Sequence, residues 1–174
     1  MEVGARPLAA CERKWYRRAS CVMMRVTSRE NQMPTRKASA IWEKGLKDGK
    51  GSFKGESGTV NGSYSFGTRF GADPGSNPEE LLAAAEAACF SMALALGLEG
   101  AGSPAESVET HAACTVEKVG AGFRITTMKL DVTAKVANLD DSRFQQIAQA
   151  TKDGCPVSQA LKGNVEITLT AKLG

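Results

Sequence analysis

A single histidine, His111, and the absence of any Cys-x-x-Cys spacing leave this chain without the four well-spaced ligands of a zinc site. Its five cysteines are odd in number and sparse across 174 residues, which excludes a small disulfide scaffold. Aromatic residues amount to 6% against 18 glycines, so small side chains must fill much of any core. Apolar runs near the start, such as Val22-Met23-Met24, fall far short of a secretory h-region, and the expected location is cytoplasmic. Basic charge is missing where a nucleic-acid-binding body would need it. Residues 1–39 hold nine lysines and arginines against three glutamates, a net +6; with +3 for the whole chain, the remainder carries −3. A mildly acidic body is poorly suited to neutralising phosphates, so no nucleic-acid partner is expected. No internal repeat is visible.

What is present is a soluble globular composition, 42% hydrophobic and 24% charged, in a length that suits one domain. Residues 1–37 show neither helical nor strand periodicity. They read as a poorly ordered basic extension, with Met23, Met24 or Met33 as alternative beginnings. A transit-like segment and a basic arm for nucleic acid are the other readings of that stretch. The folded domain is expected over residues 38–174.

Within it, alternation begins at Ala38-Ser39-Ala40-Ile41-Trp42. Glu56 to Phe66 reads as a hairpin turning at Asn61-Gly62, a pair that supplies the positive φ angles of a type I′ turn. A helix is predicted from Pro78 to about Leu98, with Asn77 as N-cap, Pro78 at N1 and Glu80 at N3 of a capping box. Its stretch Leu81 to Leu98 is broken only by Glu86 and holds seven alanines among eighteen residues. It therefore reads as a core helix buried on several sides, not a membrane span, and no membrane partner is expected. Strands follow at Val108–Lys118 and Phe123–Val136. A helix starts at Asp140 or Asp141 and stops at Asp153-Gly154, a short one runs from Cys155-Pro156 to Leu161, and a last strand spans Asn164–Lys172. Hairpin strands with segregated helices mean an α+β fold.

Two cysteines occupy positions with chemical potential. Cys155 stands where a helix begins, and helix N-termini favour the thiolate. Cys89 lies about three turns into the long helix and would need a nearby cation. Buried free cysteine also packs as a small hydrophobe, and spacing alone leaves that reading open for both. Cys114 alternates with Ala112 and Val116 and is read as core. Taken alone, Arg69 reads as an exposed strand residue, Glu79 as an acid favoured by the helix dipole, and His111 as a partly exposed, non-catalytic residue.

Four segments in order carry more information together. They are Phe66-Gly67-Thr68-Arg69-Phe70, Asn77-Pro78-Glu79-Glu80-Leu81-Leu82, Ala87-Ala88-Cys89-Phe90-Ser91-Met92-Ala93-Leu94 and Gly154-Cys155-Pro156-Val157-Ser158-Gln159. Together they closely resemble the OsmC/Ohr family of bacterial thiol peroxidases, in its OsmC branch, over residues 38 to 174. The resemblance implies an α+β fold with antiparallel sheets around a long buried central helix, in an intertwined homodimer. It implies reduction of organic hydroperoxides, and more weakly of hydrogen peroxide, without metal, haem or flavin cofactors. Cys89 matches the peroxidatic cysteine, Cys155 the resolving cysteine, Arg69 the active-site arginine and Glu79 its carboxylate partner. The reductant it implies is a dithiol such as dihydrolipoamide. The alternative is a non-enzymatic dimeric interaction protein whose cysteines only pack.

The residue types suit the chemistry. A thiolate cleaves a peroxide O–O bond by attack on the distal oxygen, and a fixed guanidinium lowers the thiol pKa and meets the developing alkoxide. Glu79 would hold Arg69 bidentately, and Cys155 would trap the Cys89 sulfenic acid as a disulfide before further oxidation. Glu79 and Cys89 are ten residues apart on one helix, roughly 15 Å along its axis. One arginine cannot touch both. If Arg69 couples them, the site is shared between subunits.

Overall fold

The computed structural model describes residues 33–174. Residues 1–32, which hold Cys11, Cys21 and most of the expected basic extension, lie outside the described residues.

Three short strands form the first sheet: β1 (Ala38–Glu43), β2 (Lys50–Gly55) and β3 (Asn61–Ser65), antiparallel in that order. β2 was not anticipated, because Lys50, Gly51 and Gly55 carry little strand propensity. Packing decides it instead. A Cβ on Gly51 would lie 2.5 Å from the Tyr64 ring, so only glycine lets that ring cross the strand. Tyr64 in turn stacks at 5.2 Å on Trp42, tying β3 to β1.

The hairpin between β2 and β3 corrects the expected turn at Asn61-Gly62. The chain reverses earlier, over Glu56–Val60, where Gly55 N–H donates to Val60 O and Gly58 takes φ +76°. Asn61 opens β3, and its amide donates to Gly58 O at 2.8 Å, bracing the turn from outside. Gly62 pairs with Phe53 inside the ladder, where a Cβ would stand 2.8 Å from the Phe53 ring. The glycine answers a ring overhead, not a turn.

β3 ends at Ser65 because Ser65 and Thr68 cap each other. Thr68 N–H donates to the Ser65 hydroxyl, and Ser65 N–H donates to Thr68 Oγ1 at 2.9 Å. This opens a one-turn helix, α1 (Phe66–Phe70), so Arg69 is helical and not the strand residue expected. The spacing Ser65-x-x-Thr68 carried that signal. Phe70 then packs on Phe66 at 5.1 Å and on Phe123 at 4.5 Å, anchoring α1.

The long helix α2 (Pro78–Gly100) matches its predicted start: Asn77 Oδ1 accepts from Glu80 N–H at 2.8 Å. By length and composition it could cross a membrane. Here it lies on a second sheet made of β4 (Ala105–Val119), β5 (Gly122–Val136) and β6 (Glu166–Leu173). Ser91 on α2 donates to Thr110 on β4 at 2.8 Å. β4 and β5 are antiparallel, but β6 runs parallel to β5, a departure from the antiparallel expectation. The crossover is made by α3 (Asp141–Gly154) and α4 (Pro156–Leu161). Asp140 caps α3 by accepting from Arg143 N–H.

One core joins these layers. It comprises Phe90, Leu94 and Leu98 of α2, Met128, Leu130, Val132 and Ala134 of β5, and Phe144, Ile147 and Ala148 of α3. Composition led to the expectation that α2 is buried on several sides, and one chain covers only part of it. Ala84, Ala88, Met92 and Leu96, four apart along the helix, form an exposed apolar row, with Met92 76% and Leu96 70% exposed. A single three-stranded sheet and two helices can cover only one side of a helix.

Candidate active site

Two pairs of the candidate side chains are assembled at different levels of α2. The first lies at its N-terminal turn. Glu79, at the second helical position, is buried and accepts from Arg69 Nη2 at 2.7 Å and from Nε at 3.1 and 3.2 Å. The one-turn helix α1 presents the arginine, and the ring of Phe70 lies 5.1 Å from the guanidinium carbon. Glu79 is held acidic side inward while Arg69 keeps a 36% exposed side chain, so the cation is oriented yet accessible.

The second pair lies about three turns further on. Cys89 faces the junction of α3 and α4, where the fully buried Cys155 ends one helix and begins the next. The two thiols are close enough to interact, although 66 residues separate them in the chain. Burial is the main cause that raises the Cys89 thiol above the ordinary thiol range. The Val157 backbone amide pulls it down, while the Cys155 thiol and the Glu86 carboxyl push it up. No cation acts on the Cys89 sulfur from the described residues of its own chain.

A third pair adjoins the cysteines and was missed in the sequence. Glu86, fully buried, accepts a 2.5 Å hydrogen bond from Ser158. Its other oxygen, Oε2, has no hydrogen-bond partner among the described residues. A lone acid in an alanine-rich apolar run was the available signal, read only as an interruption.

The remaining candidates fall outside this arrangement. Cys114 packs against the core, and burial followed by the Glu79 carboxylate raises its pKa. His111 is on the solvent side of β4, 3.3 Å from Glu109. Among the described residues no three His, Cys, Asp or Glu side chains converge as metal ligands would. Thus Arg69 meets Glu79 and Cys89 meets Cys155, but the continuous helix keeps the two pairs apart within one chain.

The chain is similar to proteins already known by sequence and by structure. Peroxiredoxin OsmC of Escherichia coli is 49% identical over 139 residues, covering 79% of this chain and 96% of that protein. Organic hydroperoxide resistance protein OhrB of Bacillus subtilis is 31% identical over 99 residues, 56% of this chain and 71% of its own. Among solved structures, an organic hydroperoxide resistance protein of Elizabethkingia anophelis superposes with a TM-score of 0.69 at 24% identity, covering 83% of this chain and 99% of that one. OhrB of B. subtilis superposes with a TM-score of 0.63 at 27% identity, covering 78% and 98%. The family model described as OsmC-like protein matches residues 71–170, the span from the loop before α2 into β6 that carries Glu79, Cys89 and Cys155, and the chain belongs to that family.

Proposed function

We propose that this protein is a cysteine-based peroxidase that reduces organic hydroperoxides to alcohols, and hydrogen peroxide more weakly. The observation that carries the reading is the approach of Cys89 and Cys155 across 66 residues, beneath a helix whose first turn holds an oriented arginine. The names of the relatives, a peroxiredoxin and organic hydroperoxide resistance proteins, support it.

The Cys89 thiolate attacks the distal oxygen of the hydroperoxide. The O–O bond breaks, Cys89 becomes a sulfenic acid, and the alkoxide leaves as the alcohol after taking a proton. Cys155 condenses with the sulfenic acid, releasing water and forming a disulfide. A dithiol reductant, for which dihydrolipoamide is a candidate, restores both thiols. The decisive measurement is thiol titration before and after one equivalent of an alkyl hydroperoxide. Loss of two of the five thiols per chain supports the peroxidase; no loss leaves a non-enzymatic interaction protein.

The active form of this reading is a homodimer. Its apolar row, Ala84, Ala88, Met92 and Leu96, would pack against a second copy and bring the partner's oriented arginine to Cys89. Met92→Glu or Leu96→Glu is therefore expected to turn the dimer into a monomer in light scattering and to remove most peroxidase activity together. A stable monomer of the unaltered protein at micromolar concentration would overturn the dimer.

The catalytic domain in this reading is residues 38–174. No apolar pattern in residues 1–37 suggests docking. Deleting them is expected to change neither activity nor stability by more than about 1 kcal/mol, measured by denaturant melts.

A further inference from the structure

Glu86 is the one buried carboxyl on α2 that the chemistry above leaves without a task. It interrupts an otherwise apolar stretch, is 0% exposed, and has no ion-pair partner among the described residues. Burying an acid this way is costly and needs a reason. Ser158 satisfies Oε1, and Oε2 is left over.

The placement of the pair is informative. Glu86 precedes Cys89 by three residues on α2, and Cys155 precedes Ser158 by three at the start of α4. Residues three apart on a helix are neighbours on one face, about 5–6 Å between Cβ atoms. The two helices thus face each other through two rungs: Glu86 to Ser158, and Cys89 to Cys155. The carboxyl stands one turn from the sulfur pair; Oε2 makes no direct hydrogen bond to either sulfur, so the reach is through one water.

We infer that Glu86 is the proton relay for closing the Cys89–Cys155 disulfide. The inference rests on the peroxidase reading above and adds a residue to it. In the closing step the Cys155 S–H bond breaks and its proton passes through one water to Glu86 Oε2. The Cys155 sulfur attacks the Cys89 sulfur with the freed electron pair, and the Cys89 S–O bond breaks. The departing hydroxide takes the proton from Glu86 and leaves as water. The sulfenic acid is the oxidant, Cys155 is oxidised, and Glu86 ends as it began. Ser158 holds Oε1, which keeps the second oxygen turned from α4's hydroxyl and available. The influence of the Glu86 charge on the Cys89 thiol agrees with this proximity.

The test separates the two chemical steps by rapid mixing with tert-butyl hydroperoxide, following loss of the first thiol and then disulfide closure by quenched mass analysis. Glu86→Gln, which preserves shape and the bond to Ser158, is expected to oxidise Cys89 at a rate within threefold of the unaltered protein. Disulfide closure should slow roughly 10²-fold, the lower range for loss of a general acid–base. Glu86→Asp should close faster than Glu86→Gln. A structural role predicts the reverse order, since glutamine is the better fit. If Glu86→Gln does not fold, Glu86→Met serves, because an apolar side chain of similar length in a buried site is expected to fold; it too should form sulfenic acid and close slowly. Closure in these variants within twofold of the unaltered protein would overturn the relay. Failure of the unaltered protein to form sulfenic acid or disulfide would instead overturn the peroxidase reading itself.

Discussion

Replacing Cys89 by serine is expected to reduce hydroperoxide consumption to the uncatalysed background, while replacing Cys155 leaves the first turnover intact and stops the cycle there. The difference follows from what each sulfur does. In the proposed cycle only the Cys89 sulfur attacks the peroxide, and a serine hydroxyl is not ionised at neutral pH to replace it. In that cycle Cys155 acts after the O–O bond is broken. Without it, Cys89 should accumulate as sulfenic acid and then, with excess peroxide, as sulfinic acid. Mass spectrometry resolves these states as additions of one or two oxygens. In the unaltered protein, peptide mapping should find a single peroxide-induced bridge between Cys89 and Cys155. A bridge through Cys114, Cys11 or Cys21 would count against the assignment. Cys114 packs on the core beside Glu79, at the far level of α2.

Mixing two inactive variants, Cys89→Ser and Glu79→Ala, and letting subunits exchange should restore activity to about a quarter of that of the unaltered dimer. Random exchange makes half the dimers mixed, and in each of these one of two sites is complete. The expectation follows from the geometry of α2. Glu79 and Cys89 lie roughly 15 Å apart along the axis and about 80° apart around it. Arg69 is fastened to Glu79 by its Nε and Nη2 groups, so it cannot also reach Cys89 of its own chain. Meanwhile burial raises the Cys89 thiol, and no cation among the described residues of the same chain acts on it to compensate. In the proposed cycle Cys89 needs a charge to stabilise its thiolate, and a partner subunit is the expected source. If each site lay within one chain, neither variant would supply a whole site and the mixture would stay inactive.

The same argument fixes the pH dependence. With the thiolate as the proposed nucleophile, a raised pKa lowers the reactive fraction at neutral pH. Arg69→Ala should therefore depress the rate of Cys89 oxidation roughly 10²- to 10³-fold near pH 7, as loss of one charge-stabilising group commonly does. Part of this loss should return as pH rises and the thiol ionises unaided. The part that does not return measures the stabilisation of the leaving alkoxide. Stopped-flow rates across pH distinguish the two, and an Arg69→Ala rate equal to the unaltered protein at neutral pH would remove the arginine from the site.

Short-range chemistry was legible along the chain. Asn77 and Asp140 cap α2 and α3 as their side chains require, because a cap involves only atoms three residues away. The stop at Asp153-Gly154 and the restart at Pro156 are local for the same reason. The motifs around Arg69, Glu79, Cys89 and Cys155 carried the family resemblance, since each is a contiguous run. Contacts between distant segments were not legible. Asn61-Gly62 has the composition of a tight turn, yet the Phe53 ring above Gly62 claims the glycine for the ladder. β2 exists because Gly51 admits the Tyr64 ring, a fact that propensity cannot contain. The parallel seating of β6 beside β5 depends on the route of α3 and α4, and Glu86 finds Ser158 only when those helices fold back on α2. The apolar character of α2 was set by its residues; which of its faces one chain covers, and which it leaves exposed, was decided only when the sheet and the two helices α3 and α4 had taken their side of it.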